Sequence, residues 1–197
     1  MSSKDGRTIT ALMRSARAKA RGYADFFGWA TDRTLEEWGV TNALRESLER
    51  SSEAFFYDLK SRERGADPPD CEAVDNEGRR IAIEVTELVS EKAIRATKRG
   101  MNVWANWSEE HFIASLAARI KEKGDRYVTL KDGPYEGGYI ILVHTDEPML
   151  STDIVRAFLD GRAFHRPEGV TRAFILLSYD PRLQTCPYFE LALRSSP

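Results

Sequence analysis

The stretch DPPDCEAVDNEGRRIAIEVTEL, residues 67–88, contains the feature that most constrains the fold, a carboxylate inside an apolar strand. Ile81, Ile83 and Val85 alternate as in a buried β-strand, and Glu84 lies among them. A buried carboxylate costs several kcal/mol unless a partner neutralises it. The sequence therefore calls for a neutralising group close to Glu84.

Asp70 is the predicted partner of Glu84. A hairpin is predicted over residues 71–75 and 79–87, with its turn at Asn76-Glu77-Gly78. A turn centred on Glu77 places Asp70 opposite Glu84, with Cβ atoms about 4.5–5.5 Å apart. A two-residue loop, or a bulge at the glycine, would place Asp70 opposite Ile83 instead.

Two carboxylates at this distance repel each other, so one takes a proton or a cation lies between them. Hard divalent cations such as Mg²⁺ prefer oxygen ligands of this kind. The pair therefore predicts a metal site at Asp70 and Glu84. The alternative is an edge hairpin with one wet face, on which both carboxylates are ordinary surface groups.

Hydrophobic periodicity predicts the other elements. Helices are predicted from Thr34, over 108–124 and over 151–159, and buried strands over 139–145 and 171–180. Residues 90–99 are predicted as a short helix or an ordered loop. Thr34 and Glu37 fit a capping box, and the apolar segment EAFFYDLK reads as a strand or a helix end. This order predicts an α/β fold with a central mixed β-sheet flanked by helices.

Length and composition indicate one domain with a sizeable core, since 42% of the 197 residues are hydrophobic. No run of about 18 apolar residues predicts a membrane span, and the N-terminus lacks the apolar core of a secretory signal. Cys71 and Cys186 are the only cysteines, too few for a disulfide framework or a zinc site. A cytoplasmic protein is expected.

Positive charge is concentrated at the N-terminus. Six of the first 24 residues are basic and Asp5 is the only acidic one, so this segment carries +5 and the remaining chain −7. Such a layout suits contact with a phosphate backbone, although a solvated tail has the same composition. We expect a basic arm over residues 1–30 and a domain over 31–197.

The motif PPD, followed by a turn and IAIEVT, resembles the signature of the PD-(D/E)XK nuclease superfamily, and the element order over residues 34–180 is similar too. The resemblance implies a restriction-endonuclease-like core and a nuclease that hydrolyses DNA or RNA with Mg²⁺ or Mn²⁺, with DNA the expected partner. Asp70 and Glu84 would hold the ion, with the Val85 carbonyl as an extra ligand.

The sequence departs from this motif at its lysine position, which is Thr86. The superfamily includes variants in which the following helix supplies the lysine. Lys121 continues the row of Ile113 and Ala117 on that helix and is the predicted catalytic residue, with Lys123 as the second choice. Without a lysine, the chain would be an inactive nucleic-acid-binding or regulatory module, and a third possibility is a protein-interaction domain.

The superfamily's first helix often adds an acidic residue, and Glu37 or Glu36 would fill that role here. Nucleic-acid contact is expected where basic residues lie next to Trp104 and Trp107. The alternative is that both tryptophans pack in the core and the charges are solvated. The basic residues are Lys92, Arg95, Lys98 and Arg99. The strand-end group of His144, Asp146 and Glu147 reads as a polar loop rather than a second metal site.

Overall fold

The structure is a computed structural model that describes residues 22–27 and 32–195. The helices described are α1 (Arg33–Arg50), α2 (Glu91–Lys98), α3 (Glu109–Gly124) and α4 (Thr152–Leu159). The strands described are β1 (Phe56–Ser61), β2 (Cys71–Asp75), β3 (Arg80–Glu87), β4 (Gly138–Thr145), β5 (Phe164–His165), β6 (Val170–Leu177), β7 (Tyr188–Glu190) and β8 (Leu193–Arg194).

Six strands form one mixed sheet in the order β1-β2-β3-β4-β6-β7. The central strands β3, β4 and β6 are parallel, and β1, β2 and β7 pair antiparallel to their neighbours. Strands β5 and β8 form a separate parallel pair. The predicted α/β class, with a mixed central sheet flanked by helices, is confirmed.

Each face of the sheet carries its own apolar core because alternate residues of a strand point to opposite faces. On one face, Ile81, Ile83 and Val85 pack with Leu44 and Leu48 of α1. The other face is covered by α3 and α4. Its core includes Ala82 of β3, Ile141 of β4, Phe112 and Ile120 of α3, and Val155 of α4. Glu84 shares the face of Ala82, under α3.

The β2–β3 hairpin has the register that pairs Asp70 with Glu84. Cys71 lies opposite Ile83, and one step further along the pairing brings Asp70 opposite Glu84. The turn is held by Asp75, whose Oδ1 accepts hydrogen bonds from two backbone N–H groups beyond it. Gly78 has a φ of +76°, the left-handed conformation that suits glycine at the end of this turn.

Helix α1 begins one residue earlier than predicted. Its cap is Asp32, whose Oδ1 accepts from the backbone N–H groups of Thr34 and Leu35 at 3.0 and 3.2 Å. The capping box of Thr34 and Glu37 was therefore wrong, because an acceptor two residues upstream satisfies these donors first. The segment EAFFYDLK, left open between strand and helix end, contributes β1.

Residues 22–27 belong to the segment predicted as an arm, and they pack against the domain. Tyr23, Ala24 and Phe27 are buried. The basic residues up to Arg21 lie outside the described residues, so the predicted arm stays a prediction. Within residues 22–27 and 32–195, no helix has both the length and the apolar character needed to cross a membrane.

Candidate metal centre

Asp70 and Glu84 converge as the hairpin register predicts. Both side chains are buried, with 2% and 0% of their surfaces exposed. The backbone N–H of Val85 donates to Asp70 Oδ2 at 2.8 Å and so links the start of β2 to β3. The two carboxylates lie close enough for one cation to contact both, and a lysine does so.

That lysine is Lys123. Its Nζ lies 2.6 Å from Glu84 Oε2 and 3.2 Å from Asp70 Oδ2, and the side chain is almost fully buried. Lys121, the predicted residue, points away. Its amine pairs with Asp125 at 2.5 Å and 73% of its side chain is exposed. The prediction that Lys121 points at the carboxylates was wrong, and the second choice, Lys123, contacts them instead.

The phase of α3 explains the error. The helix buries Phe112, Leu116 and Ile120 rather than the row of Ile113 and Ala117. At about 100° per residue, Lys123 lies about 20° around the axis from Phe112, whereas Lys121 lies about 180° away.

The last turn of α3 is seated closely on the domain. A Cβ on Gly124 would lie 2.3 Å from the Cβ of Pro167, so only glycine permits this approach. The hydroxyl of Tyr139 also donates to the Lys123 carbonyl at 2.6 Å. Together these contacts fix the backbone from which Lys123 reaches the carboxylates.

Two charged residues of the centre were missed by the sequence reasoning. The Arg126 guanidinium donates to Glu84 Oε2 at 2.7 Å and to Asp67 Oδ1 at 2.5 Å. Asp67 lies three residues before Asp70, and Arg126 follows Lys123 by the same spacing. For Arg126, which keeps a helical backbone conformation, the spacing from Lys123 was the available signal. Asp67 has an extended backbone, so its spacing from Asp70 carried no such signal.

Three carboxylates therefore form the centre. Ligand oxygens of Asp67, Asp70 and Glu84 all lie within 4.8 Å of one another, and no other such group of His, Cys, Asp or Glu occurs in the described part of the chain. Lys123 and Arg126 supply two positive charges, which leaves one negative charge in excess if all five groups are ionised.

Glu84 is the least satisfied member. Its Oε1 is buried and has no hydrogen-bond partner among the described residues. Burial raises the pKa of Glu84 to about 7 and the Asp70 charge adds to this rise, although Lys123 and Arg126 act in the opposite direction. An acceptor oxygen without a donor, in a group with excess negative charge, fits a hard divalent cation.

The other predicted members of the site have different surroundings. Glu37 is mostly buried and pairs with Arg33 at 2.5 Å. Burial raises the pKa of Glu37, and the Asp70 charge raises it further, so Glu37 is within electrostatic range of the centre. Glu36 is half-buried on the same helix. For Val85, the N–H contact to Asp70 is present, and ligation by its carbonyl stays a prediction.

The predicted nucleic-acid contacts lie on and just after α2. Lys92, Arg95, Lys98 and Arg99 are all exposed, and Arg95 pairs with Glu91 at 3.3 Å. The two tryptophans differ from each other. Trp107 is buried and stacks on His111 with ring centroids 4.8 Å apart, whereas 55% of the Trp104 surface is exposed.

The acidic residues after β4 serve a structural purpose, in line with the polar loop expected there. Asp146 accepts from the Phe27 N–H at 2.8 Å, and Glu147 accepts from the Tyr23 hydroxyl at 2.6 Å. Glu147 also accepts from the Ser90 N–H at 2.6 Å. These bonds fasten residues 22–27 to the C-terminal end of β4.

Comparisons of the chain with models of known protein families, with curated proteins and with solved structures found no match. The case for a nuclease therefore depends on the residues themselves and on the geometry of the centre.

Proposed function

We propose that the chain is a metal-dependent nuclease of restriction-endonuclease-like fold that hydrolyses phosphodiester bonds. The observation that carries the proposal is the convergence of Asp67, Asp70 and Glu84 within 4.8 Å, with the Lys123 amine in contact with two of them. A lysine from α3 compensates for Thr86, the residue that breaks the motif on β3.

Asp70 and Glu84 would hold Mg²⁺ or Mn²⁺, with Asp67 close enough to contribute. An ion there would supply a Lewis acid for the phosphoryl oxygen and would lower the pKa of an attacking water. Lys123 orients that water and offsets charge on the scissile phosphate as the P–O bond to the leaving sugar oxygen breaks. Arg126 is partly exposed, so its guanidinium is available to a phosphate at the rim.

Cleavage assays with matched lysine variants test this function. The parent should cut DNA or RNA with Mg²⁺ or Mn²⁺ and stop with chelator. Lys123→Ala should lower the rate by about 100-fold or more. Lys121→Ala removes an exposed lysine two residues away and should cut like the parent. A parent that cuts no DNA or RNA with either ion would refute the nuclease.

The nucleic-acid partner is tested separately from the chemistry. Deleting residues 1–21 removes six cations and keeps Tyr23 with its bond to Glu147. Affinity should fall on all sequences alike, and its dependence on salt should flatten because fewer counterions are released. An unchanged salt dependence would exclude the N-terminal segment from binding.

A second function is favoured by one contact. Arg126 bridges Asp67 Oδ1 and Glu84 Oε2, so a protein cation already contacts oxygens that a metal ion would take. If this bridge is permanent, the chain is a nucleic-acid-binding or regulatory module that keeps the fold without the activity. Calorimetric titration with Mn²⁺ separates the two functions. The module predicts no binding by the parent and measurable binding by Arg126→Ala.

A further inference from the structure

A groove of about 760 Å³ lies between the start of α2 and one side of α3. Its lining includes two aromatic rings, Trp104 and Trp107, and two cations, Lys92 and Arg119. None of these residues takes part in the metal centre. The volume falls within the range of about 300–1,000 Å³ that is usual for small-ligand sites, so a nucleotide has room here.

The groove and the candidate metal centre share the helix α3. Ser115 and Arg119 line the groove, and Lys123 is the next member of the same row, four residues further on. One helical turn separates successive members, about 6 Å along the axis. Lys123 contacts Glu84 and Asp70, so the carboxylates lie one turn beyond the cation at the end of the groove.

Residues 22–27 pack beside this groove. The Tyr23 ring lies 6.1 Å from that of Trp104, and the Tyr23 hydroxyl accepts from the Ala105 N–H at 3.0 Å. A Cβ on Gly22 would lie 3.7 Å from the Thr97 methyl of α2. Gly22 therefore lies against α2, whose exposed basic residues are Lys92, Arg95 and Lys98.

We propose that the groove binds single-stranded nucleic acid, with one unpaired base stacked on Trp104 and the adjoining phosphates directed by Lys92 and Arg119 toward the carboxylates. The inference rests on the proposed nuclease function and names its substrate class. Stacking on an exposed aromatic ring needs a free base face, which a paired and stacked duplex does not offer. Lys92 and Arg119 bring positive charge to the groove, which suits the backbone that carries that base. Glu91 also lines the groove, and Arg119 pairs with Glu122 at 2.9 Å, so a phosphate would compete with Glu122 for the guanidinium.

Binding in chelator isolates the groove from the chemistry. The probes are a labelled single strand of about 15 nucleotides, as DNA and as RNA, and the matched duplex. The parent should bind the single strands more tightly than the duplex. Trp104→Ala should weaken single-strand binding by about tenfold and leave duplex binding within about twofold. Trp104→Phe keeps a ring and should retain most of the affinity, with less quenching of tryptophan fluorescence.

Tyr57→Ala is the matched control, because it removes an exposed aromatic ring from the edge strand β1 and should change nothing. Two results would contradict single-strand binding in the groove. One is that the parent binds single strand and duplex equally, and the other is that Trp104→Ala binds the single strand as tightly as the parent does. If the parent still cuts with Mg²⁺ in that case, the nuclease function survives alone. If Trp104→Ala weakens binding and the parent never cuts, the proposed binding site is supported and the proposed nuclease activity is refuted.

Discussion

Two groups of buried carboxylates lie at the central sheet, and they are stabilised by different kinds of partner. Asp146 and Glu147, after β4, receive hydrogen bonds from uncharged donors, namely backbone N–H groups and the hydroxyls of Tyr23 and Ser178. The other group is that of the metal centre. Its Glu84 is bonded to two cations, and one of its oxygens has no partner in the described part of the chain.

The difference separates a group that attaches one segment to another from a group that could hold a metal ion. Uncharged donors in fixed positions satisfy the hydrogen-bonding capacity of Glu147, and the result is that residues 22–27 are attached to the domain. In the candidate metal centre, charges of both signs are confined under α3, and one buried oxygen of Glu84 has no partner among the described residues. Burial raises the pKa of Glu84, and it also raises the pKa of Asp146 in the other group, so the mixture of charges and not the pKa shift is the difference. The contrast can be tested by removing one partner from each group.

The largest effect is expected from Lys123→Met. The substitution keeps the length of the side chain but leaves two buried carboxylates with one cation fewer, which should lower the free energy of unfolding by about 3 kcal/mol in chelator. Mg²⁺ should restore part of this loss, because an ion in the centre replaces the missing charge. Urea unfolding with chelator and with Mg²⁺ measures both quantities.

Lys121→Met is the control for this experiment. Its exposed pair with Asp125 should contribute less than about 1 kcal/mol, with no response to Mg²⁺. If Mg²⁺ restored none of the stability lost in Lys123→Met, the carboxylates would bind no ion. The centre would then be a structural salt bridge.

A smaller effect is expected from Tyr23→Phe in the other group. The variant removes the hydroxyl that donates to Glu147 and accepts from the Ala105 N–H. The loss should be about 2 kcal/mol, since a buried carboxylate oxygen loses its donor. Because no ion is involved, the loss should be the same with chelator and with Mg²⁺. Recovery on adding Mg²⁺ would make Asp146 and Glu147 a second metal site.

The hairpin and its carboxylate pair were predictable because their signals are local. A three-residue turn that ends in Gly78 sets the register between β2 and β3, and this register places Asp70 opposite Glu84. Strand β4 was equally clear, since an apolar run without alternation is typical of a strand buried on both faces. These features depend on neighbours in sequence and not on the rest of the fold.

The lysine and the two flanking charges were harder to predict. Lys121 and Lys123 are two residues apart on an amphipathic helix, and the choice depends on whether Phe112 or Ile113 faces the sheet. Side-chain volume against β4 decides this, and the helix pattern alone allowed both. Arg126 lies beyond the end of α3, where the path of the chain depends on close packing at Gly124, so the sequence offered only its spacing from Lys123.

The smallest change in stability is expected from Glu84→Gln, which keeps the shape of the side chain and removes its charge. Since the folded state raises the pKa of Glu84 to about 7, ionising this group weakens the parent as pH rises from its ordinary value toward 7. Glutamine does not ionise, so the variant does not lose stability in this way as pH rises. In chelator, the variant should therefore be no less stable than the parent, and its relative stability should increase from pH 5 to pH 8.

Metal binding should change in the opposite direction, because the ion loses a charged ligand, so Mg²⁺ affinity and cleavage should both fall by at least about tenfold. Glu147→Gln provides the contrast. It weakens bonds to two fixed donors, so it should cost about 1 kcal/mol and leave Mg²⁺ affinity unchanged. Urea unfolding at both pH values and calorimetric titration with Mg²⁺ distinguish the two variants. The opposite result would be a Glu84→Gln variant that is less stable than Glu147→Gln and binds Mg²⁺ as the parent does. The Glu84 charge would then be needed for folding and not for an ion, and both carboxylate groups would have only a structural role.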